Sequence, residues 1–173
     1  MTNALKRNRA VWLAAGVLLG LAAASFLPHS PAHAVATDRM GDFAIATGPL
    51  DDQVEAIYFL DFLTGDLRAA ALNLYTWKFG SLFATNVIDD LGIELDKNPR
   101  YLLVTGNALL KRNAGPITPG SSAVYVAELT SGKIAAYVVP WSQAYNNSRI
   151  PIAGKILAVD VMKFRTAPIR DDD

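Results

Sequence analysis

The chain has 173 residues, sixteen basic and sixteen acidic side chains, two histidines and no cysteine. Three of the bases lie in the first ten residues and no acid precedes Asp38, so the chain from Val35 onward carries a net charge of −3. This balance excludes a basic surface for nucleic acid. Both histidines, His29 and His33, precede Val35, so the rest of the chain lacks Ser-His-Asp or Cys-His catalysis, ordinary zinc sites and disulfides.

The N-terminal residues 1–34 predict an export signal or a membrane anchor. Basic side chains at positions 6, 7 and 9 precede an apolar run over 10–27, and Ala32-His33-Ala34 matches the small-x-small pattern that signal peptidases cut. The run would be about 27 Å long as a helix, close to the roughly 30 Å of a bilayer core. A cleaved signal peptide and an uncleaved single span both remain open, and a buried core helix is a third interpretation. Because Lys and Arg stay cytoplasmic, both leading interpretations place the rest outside the cytoplasm: periplasmic or in the cell envelope, secreted or anchored.

A repeated segment dominates the exported part. Residues 57–67 and 124–134 align at an offset of 67 and share a Tyr, an acid, a hydroxyl-Gly pair and an aliphatic residue: Tyr58/Tyr125, Asp61/Glu128, Thr64/Ser131, Gly65/Gly132 and Leu67/Ile134. Each copy is predicted to be a β-hairpin, because Gly supplies the positive φ that a tight turn requires. Strands are predicted before the hairpins at 43–48 and 101–106, and after them at 79–86 and 154–165.

The predicted fold is all-β, with one domain over 35–170. It consists of two four-stranded antiparallel meanders, about 43–86 and 100–165, which we expect to pack face to face as a sandwich. Alternatively, two or more chains complete a ring or share a sheet. Asn86 is expected to cap a helical turn over 87–93, and residues 97–99 to form a turn. Segments 37–41, 113–122 and 143–151 are predicted as polar stretches or loops, and the acidic tail 171–173 as disordered.

Two resemblances follow from these residues. The turn Asp61-Phe-Leu-Thr-Gly-Asp-Leu67 and its second copy resemble hairpins of quinoprotein-type β-propeller blades, although two blades are fewer than the four to eight that typically close a ring. The whole chain, from 33–39 through 58–70 to 164–167, is similar to a family of uncharacterised exported proteins of planctomycete bacteria. That similarity implies an envelope location and brings no activity with it.

Acidic residues form three candidate groups, each with a simpler structural explanation. The first group, Asp51-Asp52 with Glu55, matches no calcium loop and is expected to be solvated. In the second group, Asp89 and Asp90 lie in the first turn of the predicted helix, where its positive end favours carboxylates. The third, a repeat-related pair, would suit a glycosidase, but accepting bonds from the turn N–H groups explains its spacing without catalysis. No catalytic, metal-binding or cofactor-binding residue is therefore predicted. The groups are Asp51-Asp52 with Glu55; Asp89-Asp90 with Glu94 and Asp96; and Asp61 with Glu128.

The most ligand-like stretch is 141–149. It mixes Trp141, Tyr145, Asn146 and Arg149, a composition typical of binding surfaces. The structural alternative is that Trp141 ends a strand by covering the core. These four residues are predicted as the ligand or partner surface.

Three functional hypotheses remain open. The leading one is an exported cell-envelope β module with a non-enzymatic binding or assembly role, whose partner is an envelope protein, a glycan or further copies of itself. The first alternative is a carboxylate-dependent hydrolase on the same sandwich. The second is a partial propeller that oligomerises around a cofactor or partner.

Overall fold

A computed structural model describes residues 12–20, 22, 37–93, 99–111 and 117–165. The chain divides into two units, Met1–His33 and Ala34–Asp173. Residues 12–20 of the first unit are helical. Within the described ranges, no helix combines the length and apolar character needed to cross a bilayer. The predicted cleavage motif, most of the 97–99 turn and the acidic tail lie outside the described residues.

The described residues of the second unit form ten strands and two short helices. In chain order they are β1 (Thr37–Met40), β2 (Phe43–Pro49), β3 (Glu55–Asp61), β4 (Asp66–Leu72), β5 (Phe79–Asn86), α1 (Val87–Leu91), β6 (Tyr101–Asn107), β7 (Thr118–Glu128), β8 (Lys133–Trp141), α2 (Gln143–Asn147), β9 (Ile152–Lys155) and β10 (Leu157–Lys163). The first sheet has the order β1-β2-β3-β4-β5-β9 and the second β10-β8-β7-β6. The predicted all-β fold is therefore confirmed.

Alternating side chains explain how the two sheets share one core. Along β3 and β4 every second residue is buried, as a period-two pattern requires when one face of a sheet is covered. Buried residues of both sheets form one hydrophobic cluster, with Tyr58 and Leu60 from the first sheet and Tyr137 and Val126 from the second among its members. A bond from the Thr105 hydroxyl to the Thr47 carbonyl also links the sheets.

The prediction of two four-stranded sheets is wrong for the first sheet, which has six strands, five from the first half of the chain and one from the second. Residues 37–40, predicted only as a polar stretch, pair antiparallel with β2 and form one edge. The predicted strand 154–165 is interrupted at Ile156, which is fully buried. Its first part, β9, pairs parallel with β5 of the first sheet, and only β10 joins the second meander.

Two predicted loops also contain regular structure. Residues 118–122, placed in the predicted loop 113–122, belong to the irregular start of β7, where its register with β8 shifts between Pro119 and Ala123. The predicted loop 143–151 contains the short helix α2. The cap at Asn86 is confirmed, because its side chain accepts bonds from the amides of Ile88 and Asp89 at the start of α1.

Candidate interaction surfaces

The two repeated hairpins have the same turn geometry. Gly65 and Gly132 adopt φ values of 71° and 68°, and the amide of each glycine donates to the carbonyl of the acid four residues earlier. The Asp61 carboxylate accepts from the amides of Leu63 and Thr64. These bonds define the role of the acid, which holds the turn.

Glu128 serves the second turn in the same way, but in a fully buried position. One carboxylate oxygen accepts from the amides of Arg100 and Thr130, at 3.2 and 2.8 Å, and the other from Ser131 at 2.6 Å. Burial raises the pKa of Glu128, but these donors outweigh it and hold the pKa below its ordinary value. The Glu128 carboxylate therefore accepts bonds from two amides of the second turn and from Arg100, the residue before β6.

A neighbouring tyrosine is buried with its polar atom unpaired. Tyr101 has no exposed surface, and its hydroxyl has no hydrogen-bond partner among the residues that the structure describes. Burial, together with the negative charge of Glu128, raises the Tyr101 pKa to about 12. By contrast, the buried Tyr58 hydroxyl lies 3.2 Å from the Ser122 hydroxyl.

The stretch 141–149 does not form one exposed surface. Trp141 is 2% exposed, and its indole nitrogen donates to the Asp51 carboxylate at 2.7 Å. Asn146 is 3% exposed and accepts from the Asn73 side chain. Trp141 is thus bonded to the loop 50–54, and Asn146 connects the 143–147 helix to the residue after β4. Both side chains pack within the domain, so they are not presented to a ligand.

Arg149 is the exposed member of the predicted set. Its backbone has φ of 62°, and its guanidinium lies 5.5 Å from the centre of the Tyr75 ring, a cation–π distance. Tyr145 belongs to α2, and its side chain lies outside the described part. The amide of Arg149 donates to the Asn146 carbonyl, but its side chain is exposed and lies against an aromatic turn of the first sheet.

Carboxylates of the acidic groups accept hydrogen bonds from nearby amides and hydroxyls. The Asp51 carboxylate that binds Trp141 also accepts from the amides of Gln53 and Val54, and the Asp90 carboxylate accepts from the Thr85 hydroxyl. Within the described ranges, no group of three acidic or histidine side chains is placed to hold a metal ion. Glu94 and Asp96 lie outside those ranges.

The outer face of the first sheet is unexpectedly apolar. We call it the outer apolar face. The residues opposite each other across its strands include Ile45 with Phe59, Ile57 with Ala70, and Ala70 with Leu82. The Phe43 and Phe59 rings lie 5.1 Å apart on it. Its large exposed side chains, from 38% to 59% exposed, are Phe43, Ile45, Ile57, Leu72 and Leu82.

An aromatic turn over residues 73–79 borders this face. Asn73 organises the turn by accepting bonds from the amides of Tyr75 and Thr76. Trp77 is 86% exposed and has a positive φ of 57°, a conformation that costs energy for a bulky side chain. A depression of about 350 Å³ lies between the turn and the face, lined by residues that include Ile57, Leu72, Leu74 and Phe79. This surface is not indicated by the sequence, because alternation along a strand does not show which of its two faces the other sheet covers.

Comparisons of the chain with known protein families, curated proteins and solved structures give no match. The interpretation of these surfaces therefore rests on their own geometry.

Proposed function

We propose that the protein is an exported, non-enzymatic assembly module of the cell envelope, and that a second copy of the chain packs on its outer apolar face. The observation that carries this proposal is the face itself: large aliphatic and aromatic side chains remain exposed across four adjacent strands. The face of a sheet that contacts water is expected to carry mainly polar side chains instead. An uncovered apolar face of this extent is typical of an interaction site.

The size of the face is that of a small interface. Strands β2 to β5, with spacings of about 4.8 Å and rises of about 3.3 Å per residue, cover about 440 Å² in projection. This is roughly half of the about 800 Å² that each partner buries in a standard interface. The face is therefore suited to a weak, concentration-dependent contact between two copies.

The charges on the face favour a second copy as the partner. An isologous contact places one surface against itself, so charges near its centre would meet like charges. Here Ile57 and Ala70 at the centre are uncharged, and the Arg68 guanidinium is paired with Asp66 at 3.1 Å. Other charged residues of the face, including Asp38, Glu55 and Lys155, lie at the edge strands or at a strand end. The face is thus compatible with itself without a complementary partner of opposite charge.

The geometry of the two proposed acids does not support the hydrolase alternative. Both Glu128 oxygens and one Asp61 oxygen accept turn amides, and Glu128 is fully buried. Neither arrangement resembles a pair of carboxylates facing across an open cleft.

The mass of the full chain, measured by light scattering in detergent with the detergent contribution subtracted, tests the proposal. We expect a dimer or larger species that Leu82→Lys converts to monomer. Val104→Lys is the matched control, because Val104 is 51% exposed on the outer side of the second sheet, against 59% for Leu82. A monomeric wild type would refute the proposal, and so would dissociation by the control substitution alone.

A further inference from the structure

Exposed apolar side chains are concentrated at one end of the second unit. This end, which we call the loop end, gathers the loop 50–54, the aromatic turn 73–79, the segment 108–111 and the segment 142–150. Backbone bonds from Ser121 to Leu50 and from Ala108 to Ser121 hold the first and third together, and the Asn73–Asn146 bonds hold the second to the fourth. Its exposed large apolar residues are Leu74, Tyr75, Trp77, Phe79, Leu109, Leu110 and Ile150.

The chemistry of the loop end is that of a bilayer interface. Trp and Tyr side chains prefer the headgroup level of a membrane, and Lys or Arg beside them reach the phosphates. Trp77 stands beside Lys78, Tyr75 lies under the Arg149 guanidinium, and Lys111 follows Leu109 and Leu110. Of the acids at this end, Asp51 is engaged by the Trp141 indole, while Asp52 is exposed at the tip of its loop and Glu55 begins β3.

The opposite end of the same unit has a different character. It holds the two glycine turns and α1, and its carboxylates include Asp42, Asp61, Asp66, Asp89 and Asp90. Leu63, Met40 and Phe164 are exposed there, and Lys133, Lys163 and Arg165 lie beside the acids around the second glycine turn. Among the described residues of this unit, the exposed tryptophan and tyrosine side chains, Trp77 and Tyr75, both lie at the loop end.

We infer that the loop end is a lipid-contact surface, with the aromatic turn inserted at the headgroup level of a membrane that carries anionic lipid. This inference rests on the proposed envelope location and is independent of self-association through the outer apolar face. The exposed Trp77, held at a positive φ by the Asn73 turn, is its principal anchor. Lys78, Lys111 and Arg149 supply the cations that face the phosphates.

The absence of cysteine from the chain allows a direct depth measurement. Nitroxide labels are placed on the full chain at Thr76→Cys, in the aromatic turn, or at Leu63→Cys, an exposed position at the other end of β4. The chain is reconstituted into phosphatidylcholine–phosphatidylglycerol vesicles, and collision of each label with oxygen and with a water-soluble nickel complex is measured. Vesicle flotation after an alkaline wash reports membrane retention separately.

We expect the label at position 76 to collide more with oxygen than with nickel, and the label at 63 to show the reverse. If the chain floats with vesicles but both labels collide mainly with nickel, the lipid contact is refuted while the envelope location stands. Low collision with both reagents at 76 would indicate a protein contact and would also overturn the inference. Failure to float would remove the proposed location and the lipid contact together. Tyr75→Cys, also in the turn, provides a second label should the first variant fold poorly.

Discussion

At the scale of single residues, Glu128 provides the clearest test of a structural acid. Its buried carboxylate accepts three backbone amides, so Glu128→Gln, which keeps one acceptor oxygen but loses the charge, should lower the free energy of unfolding by about 1–3 kcal/mol at pH 7. Asp61→Asn is the matched control at the partly exposed turn, and we expect a smaller loss. Urea unfolding of both variants measures the difference, and equal losses would contradict the argument.

The same carboxylate predicts a pH dependence. The folded-state pKa of Glu128 lies below its ordinary value, so its ionised form is favoured by folding. The stabilisation is complete above the unfolded-state pKa of about 4.3 and disappears as the pH falls through the lower folded-state value. The stability gap between wild type and Glu128→Gln should therefore be constant from pH 8 to 6 and shrink below about pH 4. A gap that is independent of pH down to 3 would contradict the assignment.

Two buried tyrosines should respond differently to loss of the hydroxyl. Tyr101→Phe removes a hydroxyl without a described protein partner, so we expect unchanged or slightly higher stability. Tyr58→Phe removes the partner of the buried Ser122 hydroxyl and should cost about 1 kcal/mol. Thermal unfolding of both variants measures this, and a larger loss for Tyr101→Phe than for Tyr58→Phe would show that the Tyr101 hydroxyl is bonded in solution.

At the scale of elements, the hairpin turns depend on their glycines for two separable reasons. A Cβ at Gly65 would combine an unfavourable φ with a contact of 2.5 Å to the Ile88 side chain, whereas Gly41 has a similar φ of 56° but open space around it. We expect Gly41→Ala to cost about 1–2 kcal/mol from backbone strain alone. Gly65→Ala should cost more, because Ile88 and the start of α1 must move. Equal losses in denaturant unfolding would show that Ile88 and the start of α1 can move without a further cost in stability.

Elements that depend on residues close together in the chain could be predicted from the sequence. Elements that depend on pairing with distant residues could not. The glycine turns, the strand 79–86 and the Asn86 cap are local, so alternation and turn chemistry indicate them. The parallel pairing of β9 depends on Ser81 opposite Ile152, and no pattern within 152–155 specifies it. Thr37–Met40 lacks alternating apolar residues and becomes a strand because β2 offers it a free edge.

The candidate site shows the same limit. The residues around Trp141 in the chain have a composition typical of binding surfaces. The indole partner of Trp141, however, is Asp51, which lies 90 residues earlier in the chain. Trp141 is buried with that partner, whereas Arg149 is exposed beside Tyr75. The outer apolar face could not be predicted either, because alternation shows that a strand has two faces but not which of them the second sheet covers.

At the scale of the whole molecule, the two proposed contacts restrict each other. A twofold axis for a face-to-face pair lies in the plane between the two sheets. If it runs parallel to the strands, both aromatic turns lie at the same end of the pair. If it runs across the strands, they lie at opposite ends, and one bilayer cannot receive both. Self-association and lipid contact through the loop end are therefore compatible only with the first arrangement.

That arrangement predicts a pattern of distances between copies. Positions 63 and 76 flank β4, whose seven residues span about 23 Å at roughly 3.3 Å per residue. We expect pulsed electron paramagnetic resonance on vesicle-bound chains to give a shorter separation between two labels at 76 than between a label at 63 in one copy and at 76 in the other. The difference follows from the strand length, because the parallel axis keeps like ends together. The reverse order of distances would indicate an axis across the strands, so that at most one of the two proposed contacts could form in a membrane-bound pair.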